Sequence, residues 1–472
     1  MSGFRLYSLA LDTKSIDTNE INLVDDSDSK YDNYFTLIVG NNGTGKSRIL
    51  SRIANFFKDI SRKDRENHSF NYSEFDYNFP PSKIIAITNS ISDKFPMDQS
   101  FRNIKNSTLE LYHRDFDYNY LGMRNKLNSF SSTALMNRAL EIIFESYSQF
   151  DISRNYRHIF DYLDYEPVLR LEYKLNTSYF EDYHNGINSE TLVTYAENYY
   201  EKKFFDRSES TINIVKERAY DLCNLINDSI LSKNRINEII INFSEKNINR
   251  ISQDNSLYSE KTYEYDLISI LRKVGIISTF RVQVYKKGGS SFNFREASSG
   301  EANILSTLIS LVPLLKDNSL VLIDEPEISL HPLWQSKYID LLNKILENVS
   351  GCHIIIASHS PFLASDLKPN NSSVVSLKNK KGVIYANGLE KSTYGWSAED
   401  ILLNVFDMET TRNFDLYKRV SDALDLLARD KKNNEELKSI QKEIEIFYPS
   451  LLDSDPIKPV IEAIFKAISY ER

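Results

Sequence analysis

Apolar and polar positions change period several times along this chain, and each change marks an element. From Phe4 to about Val39, short runs of β-branched and aromatic residues predict strands, with an acidic turn near Asp25 to Asp28. The last of these runs, Tyr34-Phe-Thr-Leu-Ile-Val39, is bounded by glycine and reads as a strand buried on both faces. A glycine-rich stretch follows, and then Ile49, Leu50, Ile53, Phe56 and Phe57 fall at helical spacing over about 46–60. Residues 83–88 predict a second buried strand, punctuated at its start by Pro80 and Pro81.

Between about 95 and 279 glycine becomes scarce and the spacing reads mainly as helix, including 131–150 and 210–247. A shorter alternation over 168–175 predicts a strand there. No heptad persists, which argues against a long coiled coil. Strand patterning returns over 280–294 and is broken by a hairpin turn at Lys286-Lys-Gly-Gly-Ser290. Helix 301–315, strand 320–323, helix 333–349 and strand 354–357 follow, and from 397 onward the pattern is helical and charged. The expected organisation is an α/β head split into 1–94 and 280–396, a large mainly helical inserted lobe at 95–279, and a helical C-terminal module at 397–472.

Composition narrows the class. With 41% hydrophobic and 26% charged residues, the 472-residue chain is ordinary for a globular protein, and no apolar run is long enough to span a bilayer. The N-terminus carries no secretory pattern, so the expectation is a cytoplasmic protein without a membrane partner. Two cysteines, Cys223 and Cys352, far apart, form neither a disulfide framework nor a cysteine zinc site. A net charge of −9 argues against a broadly basic surface that wraps nucleic acid. The 29 tyrosines, many of them between Phe70 and Tyr200, are read as half-buried packing rather than base-stacking platforms.

The chemistry-bearing residues fall in four places. Gly40, Asn41, Asn42, Gly43, Thr44, Gly45, Lys46 and Ser47 match a phosphate loop between strand and helix, and they hold three of the 14 glycines within six residues. Glycines let successive backbone N–H groups converge on phosphate oxygens, Lys46 reaches the β and γ phosphates, and Ser47 ligates magnesium. In Leu320-Val-Leu-Ile-Asp-Glu-Pro326 a buried strand delivers two carboxylates to its C-terminal end, where open α/β sheets hold ligands. Adjacent strand side chains point to opposite sides, so Asp324 is assigned to magnesium and Glu325 to the attacking water. Ser298, Gly300 and Glu301 open a helix whose small residues and N-terminus suit an anion. His359 follows a strand and precedes Ser360-Pro361; a lone histidine there reads by itself as a structural hydrogen-bonding residue. His331, before Pro332, is either a turn residue or part of communication between subunits.

In this order, these motifs resemble the ABC-class ATPases, over about 35–93 and 295–366. The runs Asp324-Glu-Pro-Glu-Ile-Ser-Leu-His-Pro332 and Ser358-His-Ser-Pro361 are similar to the soluble RecF/SMC/OLD branch and its defence-associated AAA-ATPase-like members rather than to transporter motors. The resemblance implies ATP and Mg2+ as cofactors and self-association of two heads that sandwich nucleotide, the phosphate loop of one facing Ser298 to Glu301 of the other. It makes His359 the switch histidine, which contacts the γ phosphate, and His331 part of the D-loop. The Q-loop glutamine of the class is not evident after residues 83–88, and Asn89, Asp93 and Gln99 are the candidates for its place.

Thr88-Asn-Ser-Ile-Ser-Asp-Lys-Phe-Pro96, Tyr120-Leu-Gly-Met-Arg124 and Tyr394-Gly-Trp-Ser-Ala-Glu-Asp400 further resemble the PtuA ATPases of Septu and retron-linked antiphage systems. That resemblance implies a partner HNH nuclease of the PtuB kind and, in retron settings, a reverse transcriptase with its DNA–RNA product. The competing expectation is a RecF-like repair or replication ATPase acting directly on DNA. The segment beyond 397 reads as helices rather than the α/β Toprim nuclease of OLD-like proteins, so this chain is expected to cut no nucleic acid itself.

Overall fold

The computed structural model describes residues 3–13, 16–25, 33–62, 74–90, 92–96, 118–122, 124, 132–146, 153–176, 178–180, 183, 186–203, 208–231, 236–244, 260–429 and 435–469. The acidic turn at 26–28 and Gln99 lie outside them. The chain divides into two compact units, Met1–Trp396 and Ser397–Arg472.

The first unit is built on a nine-stranded sheet. Its centre is four parallel strands in the spatial order Tyr34–Gly40, His353–Ala357, Ser319–Asp324 and Lys83–Thr88. All four are buried along their full length, which is why their sequences are mainly apolar runs rather than alternations. Register aligns their C-terminal ends: Ala357 pairs with Ile38 and with Asp324, and Asp324 pairs with Thr88. Whatever follows each strand is thereby delivered to one edge of the sheet. Beyond Lys83–Thr88 lies Tyr118–Leu121, a four-residue edge strand too short to announce itself by pattern.

The helix Lys46–Arg62 fixes the phosphate loop from behind. Ile49, Leu50, Ile53, Phe56 and Phe57 are all at most 5% exposed in the core beneath the sheet. Phe56 stacks on Phe75 at 4.1 Å and Phe57 meets Phe4 edge-on at 5.6 Å. Truncating one of the aliphatic residues to alanine would cost about 2–5 kcal/mol.

Two expected helices are corrected. Residues 210–247 are not one helix: Ser208–Glu217 and Ala219–Leu231 are helices, but Asn237–Asn242 is a strand paired antiparallel with Tyr165–Leu175. The run Ile239-Ile-Ile241 explains it, since β-branched side chains lose rotamer freedom in a helix and pack well on a pleated surface. These strands, with Ile277–Lys286 and Ser291–Asn293, form a four-stranded antiparallel sheet among the helices of this region. The helix expected over 333–349 is likewise broken, into Pro332–Gln335 and Tyr338–Ile345, because Lys337 leaves helical geometry (φ −112°, ψ 2°).

The second unit is helical. Ala398–Asn404, Phe414–Ala428, Glu435–Phe447 and Ile457–Ser469 account for most of it, and Leu416, Val420, Ala423, Leu437, Ile444, Ile461 and Ile464 form its own core. Among the described residues, no helix of the chain is long and apolar enough to cross a membrane.

Candidate functional site

At the aligned strand ends, the phosphate loop and the carboxylate strand meet. Asn41, Asn42 and Gly43 are exposed, whereas Thr44 is buried and its hydroxyl bonds back to the Asn41 carbonyl at 2.8 Å, closing the loop on itself. Gly43 has φ +83°, and a Cβ there would meet no atom of the described residues within 4 Å. Its constraint is conformational: an L side chain would strain the turn that opens the cradle.

Lys46 is 5% exposed, and its Nζ donates to the Gly40 carbonyl at 2.8 Å and to Nε2 of His359 at 2.7 Å. Lysine has only donors, so the His359 Nε2 accepts and the neutral ring carries its proton on Nδ1. Burial, reinforced by the Lys46 charge, pushes the His359 imidazole down to about 4, which keeps it neutral. Burial also lowers the Lys46 ammonium, against the pull of Glu325, Glu327 and Asp324.

Ser47 Oγ donates to Asp324 Oδ1 at 3.0 Å. Burial pushes the Asp324 carboxyl up to about 7; the charges of Glu325 and Asp93 add to this, while the Ser47 bond and Lys46 oppose it. A hydroxyl and a carboxylate facing each other, with too little positive charge nearby, are the hard oxygen donors that magnesium takes together with phosphate oxygens and water. The pair therefore fits the metal expected from sequence. Asp324 ends its strand, and Glu325 leaves it in a left-handed conformation, φ +50°, anchored by its N–H to the Ala357 carbonyl at 2.8 Å. The two carboxylates are thus separated by a backbone turn and not by strand alternation, as the sequence reading assumed.

The helix Ser299–Leu314 begins at Ser298 with a capping box: Ser298 Oγ accepts from the Glu301 N–H at 3.2 Å and Glu301 Oε2 from the Ser298 N–H at 2.9 Å. Burial acts to raise the Glu301 carboxyl, but the nearby Tyr165 hydroxyl, the bonds to Ser298 and the Lys286 charge hold it below its ordinary range. Ser298 is exposed and Gly300 is buried. Among the described residues, neither Ser298 nor Glu301 hydrogen-bonds the phosphate loop of its own chain. His331 caps Pro332–Gln335 through Nδ1, the turn role. His353 is structural: its Nδ1 accepts from the Leu6 N–H at 3.2 Å and its Nε2 lies 2.9 Å from Thr36 Oγ1.

Of the Q-loop candidates, Asn89 and Asp93 lie among the described residues, and they separate. Asp93 is consumed: Arg124 reaches both its oxygens at 2.6 and 2.7 Å, and the Tyr120 hydroxyl donates to Oδ2 at 2.8 Å. This joins two of the segments that carry the narrower resemblance. Asn89, beside Glu325 at the sheet edge, donates to the Pro326 carbonyl at 2.9 Å. Sequence reasoning gave no role to Glu327, whose Oε1 accepts the His359 N–H, nor to Gln335, which accepts from Ser360 Oγ at 2.7 Å. The only signal for Glu327 was the second glutamate in Asp-Glu-Pro-Glu.

The chain is 33% identical over 97 residues to the Septu protein PtuA of Bacillus thuringiensis, covering 20% of this chain and 24% of that one. It is 22% identical over 381 residues to the "Retron Vc95 probable ATPase" of Vibrio cholerae, covering 72% and 68% of the two chains. The stretches matched in the first curated relatives span 22%, 24% and 41% of those proteins. Among solved structures it is similar to the Smc head domain of Pyrococcus furiosus, at 12% identity and TM-score 0.32, covering 82% of this chain and 96% of that one. A family model described as "AAA domain, putative AbiEii toxin, Type IV TA system" matches residues 35–366, which span the phosphate loop, both carboxylates and His359. The chain belongs to this AAA_21 family of ATPases.

Proposed function

We propose that this chain is an ATP-driven switch that works as a pair of heads and controls a partner effector nuclease in antiphage defence. The observation that carries the reading is the convergence of Lys46, Ser47, Asp324, Glu325 and His359 on one edge of the parallel sheet, joined by the Ser47–Asp324 and Lys46–His359 bonds. Lys46 holds the β and γ phosphates of ATP, Ser47 and Asp324 hold magnesium, and Glu325 orients and deprotonates the attacking water. Magnesium, when bound, neutralises charge on the phosphates. The exposed Ser298 cap, which makes no bond to its own phosphate loop, supports delivery of Ser298, Gly300 and Glu301 to the nucleotide of a second copy. Likeness to PtuA and retron ATPases supports the nuclease partner and the defence setting.

The test compares wild type with Glu325→Gln. The amide cannot act as a base, so the variant should bind ATP normally, turn it over far more slowly, and associate more strongly in ATP by size-exclusion chromatography. No gain in association, together with no effect of Ser298→Ala, would discard the paired-head model. The purified chain should leave plasmid, single-stranded DNA and tRNA intact in magnesium until a neighbouring nuclease is added; robust cleavage by the chain alone would overturn the partner reading.

A further inference from the structure

The second glutamate of Asp-Glu-Pro-Glu has no duty in the chemistry above, yet its carboxylate is turned inward. Oε1 accepts the backbone N–H of His359. Oε2 is enclosed and meets no hydrogen-bond partner among the described residues. A side chain serving packing alone would be better apolar here, because a buried carboxylate with an unmatched oxygen is costly. The bond it does make, from a backbone N–H to a carboxylate, is of the strong, charge-assisted kind.

The surroundings say what is held. Ser358 N–H bonds the Ile38 carbonyl at 3.1 Å, Ser360 N–H bonds Ser358 Oγ at 2.9 Å, and Ser360 Oγ bonds Gln335 Oε1 at 2.7 Å. The backbone on either side of His359 is therefore fixed, and the His359 N–H itself is fixed by a residue 32 positions earlier in the chain. To meet a γ phosphate, the imidazole must exchange its Lys46 bond for the nucleotide while its backbone stays put. The turn that carries Glu327 also packs on the Ser299–Leu314 helix, since the Ser329 carbonyl abuts Gly300.

We propose that Glu327 is a positioning residue for His359, acting on ATP hydrolysis by clamping the histidine backbone and not by touching nucleotide or metal. The inference rests on the reading of His359 as the group that meets the γ phosphate. It is tested by single-turnover and steady-state ATP hydrolysis on wild type, Glu327→Ala, Glu327→Gln, His359→Ala and the Glu327→Ala/His359→Ala double variant, with folding checked by thermal melts and ATP binding.

Glu327→Ala should lower kcat on the order of 10–100-fold, the range for residues that orient a functional group from behind, with KM within about twofold. Glu327→Gln, whose amide oxygen can still accept the His359 N–H, should recover most of the rate. The double variant should be no slower than His359→Ala, because both changes remove one function. A raised KM at unchanged kcat, a Glu327→Gln variant as slow as the alanine, or losses that multiply in the double variant would each overturn the proposal while leaving the His359 reading intact. Unchanged turnover in His359→Ala would instead remove the reading itself, and the inference with it.

Discussion

Lys46 Nζ lies 2.7 Å from Nε2 of His359, so the cation of the phosphate loop and the imidazole at the end of the neighbouring strand share one hydrogen bond. The residues are 313 positions apart and meet only because the strands that precede them are adjacent in the sheet. The bond satisfies a buried ammonium and a half-buried imidazole; in the proposed nucleotide-bound state Lys46 turns to the phosphates. Lys46→Ala should therefore weaken ATP binding by at least about 2–3 kcal/mol, on the order of 100-fold, as expected for lost hydrogen bonds to a charged group. His359→Ala should keep most of the affinity. Titration with a fluorescent ATP analogue separates the two, and equal affinities for wild type and Lys46→Ala would refute the phosphate-loop assignment.

Legibility in the sequence followed burial. The four central strands are buried throughout and mainly apolar, so each was readable to within a residue or two, and the glycine loop and Asp324-Glu325 are local patterns that need no tertiary knowledge. The chain order of these motifs also foretold their neighbourhood. What escaped was set by long-range pairing. The edge strand Tyr118–Leu121 is defined by its partner rather than by a period, and the Arg124–Asp93 pair spans 31 positions. Asn237–Asn242 was lost to helical spacing because only its pairing with Tyr165–Leu175 decides which face is buried.

Gly300 supplies a second prediction. An added Cβ would fall 2.2 Å from the Ser329 carbonyl oxygen, a backbone atom that cannot swing aside. Gly300→Ala should therefore push the start of the Ser299–Leu314 helix off the turn after Glu325 and destabilise the protein by about 1–3 kcal/mol, the usual cost of overpacking. Ser298→Ala, which loses only a cap, should cost about 1 kcal/mol. Urea denaturation of both variants checks the ranking, and a Gly300→Ala variant as stable as wild type would show that the contact can relax freely.

The Asp93 carboxylate supplies a third. Its side chain is fully buried, 0% exposed, and it accepts from Arg124, Tyr120 and the Phe95 N–H. Arg124→Ala leaves a buried anion without its countercharge, for which a loss of about 3 kcal/mol is expected. Adding Asp93→Asn should restore part of that loss, because the charge is gone while most hydrogen bonds can re-form. Denaturant midpoints for the single and double variants give the answer; an Arg124→Ala variant within about 0.5 kcal/mol of wild type would mean the pair behaves like an exposed one.

The last prediction concerns acid. His353 is fully buried and neutral, held between the Leu6 N–H and Thr36, and burial, with the Arg5 charge in support, depresses its imidazole well below the ordinary value of 6.5. In the unfolded chain the same ring titrates near 6.5. Below that pH the unfolded state binds a proton that the folded state refuses, so stability is complete above about 6.5 and declines as pH falls, by up to about 1.4 kcal/mol per pH unit for one such group. His359, pushed down to about 4 chiefly by burial, adds a loss of the same sign. Asp324, pushed up to about 7 by burial, takes up its proton in the folded state over the same range and opposes both losses, so the imidazole contribution is read by comparing unfolding free energies, measured in urea between pH 7.5 and 5.0, of wild type and variants. His353→Gln, less stable at pH 7.5 because glutamine cannot serve both partners in the same way, should show a shallower decline, with the remaining slope reduced again when His359→Ala is added. An undiminished slope in His353→Gln would mean that the buried imidazole is not what the acid attacks.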